Sequence, residues 1–126
     1  MVGVSIVNHT DIEVYIKDGE IQPILQILVD HFGVFSFDSK LGDGISLYVT
    51  ENIKLIFTEK VEDDFLSVLL KNADDWKSSA EFARFLSGRI VNLIRCDPGI
   101  DFPNVNPYSE VFLEVDNGKE TLIDWC

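Results

Sequence analysis

The sequence predicts an α+β domain in which a single mainly antiparallel, curved β-sheet carries two helices on one of its faces. Three observations support this class. Short runs rich in β-branched and aromatic residues recur along the chain, separated by turn-forming residues. Two other segments repeat their apolar residues at helical spacing. Near the C-terminus, the pair Asn117-Gly118 lies between two strand-like runs and is a strong hairpin signal. The predicted order is β-β-α-β-β-β-β-α-β-β-β, within one domain that comprises residues 1–126.

The predicted strands are short runs bounded by Gly, Asn, Asp and Ser. The run Ile12 to Lys17 alternates apolar and polar side chains, which is typical of a strand with one buried and one solvated face. Residues 38–44 contain Gly42-Asp43-Gly44 and are predicted to form a loop. The run 65–70 is short for a helix, and we interpret it as a strand. The predicted strands cover residues 2–7, 12–17, 34–37, 45–50, 54–59, 65–70, 90–94, 111–115 and 119–123.

Both predicted helices have recognisable ends. The first covers residues 22–32, with Pro23 in its first turn, where a missing N–H costs no hydrogen bond. Gly33 suits the position directly after its last turn. The second begins at Ser78-Ser79-Ala80-Glu81, which matches a capping box, and ends at Gly88. Because the apolar residues of both segments recur at helical spacing, each helix is expected to present one apolar stripe to the sheet.

The register of the C-terminal hairpin follows from its two-residue turn. One face then carries Glu110, Phe112, Glu114 and Asp116 opposite Trp125, Ile123, Thr121 and Lys119. The other face carries Val111, Leu113, Val115 and Leu122, and we expect it to be the core face. Two interpretations of the first face stay open. The second helix covers Phe112, Ile123 and Trp125 as core, or these side chains form an interface.

Charge narrows the classes of function. The 126 residues include 22 acidic and 10 basic side chains, which gives a net charge of −12. Such a balance excludes nucleic-acid binding through a basic surface and disfavours anionic membranes, whereas it attracts basic proteins. The N-terminal residues do not resemble a secretory signal, so a cytoplasmic protein is expected. In that compartment Cys96 and Cys126 are expected to be free thiols, although a bridge between them would be sterically feasible.

Motifs for catalysis or cofactors are absent from the sequence. The four Cys and His residues are far apart, so no metal site and no cofactor is expected. A nucleophilic set could be assembled from Cys96, Asp97 and His31, but their spacing matches no catalytic motif. The acidic runs are expected to be solvated turns.

The segment 96–109 is the most distinctive part of the chain. It contains three of the four prolines, Pro98, Pro103 and Pro107, which restrict its backbone. Two interpretations of it stay open: together with the hairpin it forms a stiff acidic and aromatic surface suited to a basic protein partner, or it is a well-packed crossover between strands. The predicted partner-binding residues are Asp97, Asp101, Tyr108, Glu110, Glu114 and Trp125.

In size, acidity and lack of catalytic motifs, the chain resembles bacterial immunity proteins, which neutralise toxic nucleases or similar effectors. The resemblance implies a non-enzymatic, small acidic domain that occludes a basic toxin. Two alternatives stay open. One is a small enzyme or ligand-binding domain with a pocket at segment 96–109, and the other is a non-catalytic regulatory or structural subunit. The sequence does not determine the oligomeric state.

Overall fold

The computed structural model describes residues 11–62, 64–106 and 108–125, and every structural statement below concerns these residues. They form eight strands, two α-helices and one short 3-10 helix at Gly99–Asp101. The strands are β1 (Ile12–Lys17), β2 (Ser36–Gly42), β3 (Ile45–Thr50), β4 (Ile53–Val61), β5 (Phe65–Lys71), β6 (Ile94–Cys96), β7 (Val111–Asp116) and β8 (Lys119–Asp124). The helices are α1 (Ile21–Phe32) and α2 (Ser79–Ser87). The strand predicted at residues 2–7 lies outside the described residues.

All eight strands belong to one antiparallel sheet with the order β2-β3-β4-β5-β1-β6-β7-β8. The predicted α+β class is confirmed. The early strand β1 lies inside the sheet, between β5 and β6. It therefore joins the meander β2–β5 to the strands that follow α2.

One face of the sheet is the core. The alternation predicted for β1 is confirmed, because Ile12, Val14 and Ile16 are fully buried. Their neighbours on this face include Leu113 and Val115 of β7, which are also buried. Both helices pack here: α1 contributes Ile24 and Leu28, and α2 contributes Ala80, Phe82, Ala83 and Leu86. Burial of this continuous apolar layer stabilises the fold and determines which side chains remain on the second face.

The sheet curls strongly toward its second face. Trp125, just after β8, packs its ring 4.7 Å from that of Phe65 in β5, centroid to centroid. Three strands separate β5 from β8, so in a flat sheet these two strands would be ~19 Å apart. Side-chain length accounts for only part of that span, so the second face is concave.

Two strand predictions are wrong in their boundaries. Residues 38–42 continue β2 instead of forming a loop, because register shifts at Phe37/Ser39 and Lys40/Gly42 let the strand keep pairing with β3. The strand predicted at 90–94 is observed as Ile94–Cys96. The backbone N–H groups of Arg89 and Ile90 donate to Leu86 O, so the α2 end extends into this region.

The helix ends largely follow the sequence signals. Ser78 Oγ accepts from the Glu81 N–H at 3.2 Å, as the capping box predicts, whereas the Glu81 carboxylate accepts from Lys77 N–H at 2.9 Å. Ser79 Oγ accepts from the Glu13 N–H at 3.1 Å and so fixes the start of α2 against β1. Gly33 ends α1 with φ 98°. Within the described ranges, neither helix is long and apolar enough to cross a membrane.

Candidate functional site

The concave second face centres on Phe112 of β7. The predicted hairpin register is confirmed, with Phe112 opposite Ile123 and Glu114 opposite Thr121. The backbone N–H of Trp125 donates to Glu110 O at 2.9 Å, which extends the same pairing. Helix α2 packs against the other face of β7, so of the two open interpretations the one in which α2 covers Phe112, Ile123 and Trp125 is wrong. Leu122, expected in the core, is 42% exposed because β8 is an edge strand.

Four aromatic rings from four parts of the sheet meet on this face. They are Tyr15, Phe65, Phe112 and Trp125. Trp125 makes edge contacts with Tyr15 at 5.3 Å and with Phe112 at 5.1 Å between ring centroids. Tyr15 and Phe112 are 6.3 Å apart. Such edge-to-face pairs each stabilise the fold by roughly 0.5–1.5 kcal/mol beyond the contribution of their buried area, so the four rings form a well-ordered cluster.

A guanidinium group is already accommodated within this cluster. The Cζ atom of Arg95 lies 5.1 Å from the ring centroid of Phe65 and 4.9 Å from that of Trp125. Its Nε donates to Glu114 Oε1 at 3.1 Å, from the neighbouring strand. The second face therefore combines aromatic rings and a carboxylate around a basic side chain.

Three adjoining cavities surround Phe112, and its side chain lines all of them. The largest, about 590 Å³, lies between segment 96–109 and the start of β7. A second of about 420 Å³ is lined by Asp97, Glu13 and Tyr15. A third of about 140 Å³ is lined by Tyr15, Trp125 and Glu62. We call these three cavities and their rims the Phe112 surface.

Among the described residues, every ionised side chain that lines these three cavities is acidic. These side chains are Asp11, Glu13, Glu62 and Asp97, and no described Lys, Arg or His lines the three cavities. Asp11 pairs with Lys71 at 3.4 Å. The carboxylates of Glu13, Glu62 and Asp97 have no ion-pair partner among the described residues. The surface therefore holds concentrated negative potential next to apolar walls.

The pKa of Tyr15 is shifted by the acidic, partly buried environment of the Phe112 surface. Burial, the neighbouring Glu13 carboxylate and Asp97 together raise the pKa of Tyr15 to about 12. Glu13 is held in place because its carboxylate accepts from Ser67 Oγ at 2.5 Å on the adjacent strand. A positive charge brought between these groups would relieve the repulsion between the carboxylates.

The Pro-rich segment is held at both ends. Asp97 Oδ1 accepts from the Gly99 N–H at 2.8 Å, and Asn106 Oδ1 accepts from the Tyr108 N–H at 2.9 Å, which are tight Asx turns. In its middle, Arg84 of α2 donates to Asp101 at 2.6 Å. The same guanidinium donates twice to Glu120 of β8, at 2.7 and 3.0 Å. Arg84 therefore ties the segment and the hairpin to the same helix.

The structure distributes the six predicted partner-binding residues over three environments. Asp97 and Trp125 line the Phe112 surface. Asp101 and Glu114 are engaged in ion pairs, with Arg84 and Arg95. Tyr108 and Glu110 are exposed, and Tyr108 is 95% accessible. Glu13, Tyr15 and Glu62, all on this surface, were not selected from the sequence, because their places relative to β7 depend on pairing between distant strands, which residue patterns do not give.

The side chains of the alternative nucleophilic set, Cys96, Asp97 and His31, lie in different environments. Cys96 is a free thiol that is fully buried on the core face, and this burial, with Asp97 nearby, raises its pKa to about 12. A thiol in this state is a poor nucleophile at neutral pH. His31 bonds Asp75 at 3.0 Å and stacks on Trp76, at the end of α1. Cys126 lies outside the described residues.

Comparisons of the chain with protein-family models, with curated proteins and with solved structures found no significant match in any of the three. The geometry and charge of the Phe112 surface are therefore the basis from which a function can be inferred.

Proposed function

We propose that this domain binds a basic protein partner through the Phe112 surface and occludes it, as an immunity protein occludes a toxin such as a nuclease. The observation that carries the proposal is the lining of the three cavities. They adjoin one another around Phe112, and the ionised side chains that the described residues contribute to them are all acidic. Burying three unpaired carboxylates is unfavourable unless the partner supplies positive charge, so the surface selects for basic partners.

Charge distribution in the chain supports the same proposal. Residues 96–126 contain seven acidic side chains and one basic side chain, Lys119. This part of the chain, which carries half of the net charge, contributes the Pro-rich segment and the hairpin that border the surface. Its field would attract a basic partner from a distance and raise the rate of association.

The aromatic cluster and the rigid rim supply the short-range contribution. Partly buried rings such as Phe112 and Trp125 provide contact area without much loss of side-chain freedom. The rim is held by two Asx turns and by Arg84, so little entropy is lost on binding. The bound domain covers the basic cleft of its partner, and its carboxylates occupy the place in which a nuclease would hold phosphates. The partner is therefore occluded.

The test compares two variants of equal net charge. In the surface variant, Glu13→Gln, Glu62→Gln and Asp97→Asn neutralise the Phe112 surface. In the control variant, Asp30→Asn, Asp38→Asn and Asp43→Asn neutralise three exposed acids, one on α1, one in β2 and one just after β2. A partner captured by the wild-type protein from the source cell is identified, and its association with all three proteins is measured by surface plasmon resonance.

We expect the captured partner to be basic and its association rate to fall at least ~10-fold between 50 and 500 mM salt. The surface variant should associate ~10-fold more slowly than the control variant. Equal rates for the two variants, or rates independent of salt, would overturn the proposal.

A second candidate is supported by the cavity of about 590 Å³, since it lies where the sequence predicted a ligand pocket and its volume suits a small molecule. This function predicts a bound compound of low mass. Native mass spectrometry of the protein from its source cell, compared with a Val105→Phe variant that narrows the cavity, distinguishes the two candidates. Adduct on the wild-type protein alone supports the ligand-binding function, and no adduct on either contradicts it.

A further inference from the structure

The largest cavity on the Phe112 surface has the composition of a site for one basic side chain with an apolar neighbour. Its walls are mainly apolar and include Pro98, Phe102, Pro103 and Phe112. Among the described residues, Asp97 is the only ionised one in its lining. An apolar pocket with one carboxylate suits a side chain that has a long apolar stem and a cationic end.

Asp97 has a free oxygen for such a cation. Its Oδ1 accepts from the Gly99 N–H, and this bond fixes the carboxylate on the cavity wall. Its Oδ2 has no hydrogen-bond partner among the described residues. The carboxylate is exposed and carries no ion pair within the described part of the chain.

The same face already demonstrates which cation it accommodates. Arg95 lies against Phe65 and Trp125 while it bonds Glu114, so rings and a carboxylate hold a guanidinium together. The cavity repeats this combination with Phe112, Phe102 and Asp97. A flat, weakly hydrated guanidinium stacks on rings and prolines better than an ammonium group does.

We propose that this cavity is the anchor site for an arginine of the basic partner, with the guanidinium at Asp97 and an adjacent apolar side chain against Phe102 and Phe112. The inference rests on the proposed function, because it names the feature of the partner that the Phe112 surface recognises. A volume of about 590 Å³ exceeds that of one arginine side chain, which leaves room for the apolar neighbour.

The test uses a defined probe instead of the partner. The ¹⁵N-labelled protein is titrated with the dipeptide acetyl-Phe-Arg-amide, and NMR shifts of residues 97–112 are followed. Citrulline in place of arginine removes the charge at nearly constant shape, lysine keeps the charge without the flat group, and alanine in place of Phe removes the ring. We expect each of the three substitutions to weaken binding, citrulline by at least about fivefold, which corresponds to ~1 kcal/mol.

Two protein variants localise the effect. Asp97→Asn keeps an oxygen acceptor for the Gly99 N–H, so the turn persists while the charge is lost. Asp116→Asn removes an equal charge at the exposed end of β7 and is the control. We expect Asp97→Asn to weaken the dipeptide at least about fivefold and Asp116→Asn less than about twofold. The inference would be overturned if Asp97→Asn and Asp116→Asn weakened the dipeptide equally, or if the citrulline dipeptide bound as tightly as the arginine dipeptide. It would also be overturned if the NMR shifts that the dipeptide causes lay at residues outside the cavity.

Failure of the anchor differs from failure of the proposed function. The Val105→Phe variant narrows the cavity without changing charge. If the anchor inference is right, this variant associates with the partner at the wild-type rate and dissociates at least about tenfold faster. If the partner associates in a salt-dependent way but dissociates from Val105→Phe at the wild-type rate, the anchor inference is refuted and the proposed function is not. Dipeptide binding at Asp97 without any salt-dependent partner refutes the proposed function alone.

Discussion

Arg84 links three parts of the molecule through one side chain. It lies on α2 and donates to Asp101 in the Pro-rich segment and to Glu120 in β8. These two carboxylates raise the pKa of the guanidinium even further above its usual range. Without it, two carboxylates would face each other with no cation between them. The position of the rim of the Phe112 surface therefore depends on a residue that lies outside that surface.

Replacing Arg84 by Met should lower the free energy of unfolding by about 1–2 kcal/mol, since partly exposed ion pairs are individually weak but here share one cation. Urea unfolding measures the change. Lys119→Met removes a basic residue from the exposed start of β8 and is the matched control. A loss in the control as large as that in Arg84→Met would show that net charge, and not the bridge, is responsible.

The partner of Arg84 on β8 predicts a dependence on pH. Hydrogen bonding to Arg84 holds the pKa of Glu120 below its usual value of 4.5. A carboxyl group with a lowered pKa stabilises the folded state above its usual pKa and loses that contribution as the pH falls. The wild-type protein should therefore be more stable than Glu120→Gln at pH 7, and the difference should shrink below pH 4.5. A difference that is constant from pH 7 to pH 3, measured by thermal unfolding, contradicts this.

The raised pKa of Cys96 predicts a dependence of stability on pH that is opposite in sign to that of Glu120. Because burial raises the pKa of its thiol from 9.0 to about 12, the folded state disfavours the thiolate, and its stability falls as the pH rises from 9 toward 12. In a Cys126→Ser background, the folded protein at pH 7 should react with Ellman's reagent at least about 100-fold more slowly than the urea-unfolded chain. Rapid reaction in the folded state would show that the thiol is accessible. Cys96→Ala should leave partner binding unchanged.

The C-terminal hairpin is the element that carries Phe112, and its turn determines the register. Asn117 and Gly118 have φ values of 52° and 83°, the left-handed pair that a type I′ turn requires. Gly118→Ala should cost about 1–2 kcal/mol through backbone strain alone, since a Cβ atom there would meet no other atom within 4 Å. Asn117→Gly, which tolerates the same conformation, is the control and should cost less. Equal losses in thermal unfolding would contradict the turn assignment.

This element also indicates how far sequence reasoning extends. Local signals predicted the hairpin register, the α2 cap and the burial alternation of β1, because each depends on residues a few positions apart. The order of the strands depends on contacts between distant segments, so nothing local placed β1 beside β6. Asp97 and Trp125, which were selected from the sequence, both line the Phe112 surface, whereas Glu13 and Tyr15, which line it as well, were not selected for that reason. The bulges that extend β2 through residues 38–42 likewise depend on pairing with β3.

At the scale of the whole molecule, a net charge of −12 acts against folding. Like charges repel more in the compact state than in the unfolded chain, and salt screens this repulsion over ~10 Å at 0.1 M. Stability against urea should therefore rise by about 1–2 kcal/mol between 20 and 500 mM NaCl. A flat or falling dependence would show that the ion pairs around Arg84 and Arg95, which salt weakens, outweigh the repulsion.

Part of that repulsion is concentrated at the Phe112 surface. We therefore expect the carboxylates that attract a basic partner to lower the stability of the free protein. Glu13, Glu62 and Asp97 lie around adjoining cavities, whereas Asp30, Asp38 and Asp43 are dispersed and exposed. At 20 mM salt, neutralising the first set should stabilise the free protein by about 0.5–1.5 kcal/mol more than neutralising the second. The same surface variant should bind a basic partner more weakly, because the charge that destabilises the free domain attracts the partner. Removal of the Glu13 charge should also lower the pKa of Tyr15, which ultraviolet titration of the phenol measures. A surface variant no more stable than the control would mean that these carboxylates do not repel one another, and a basic partner would then have no repulsion to relieve.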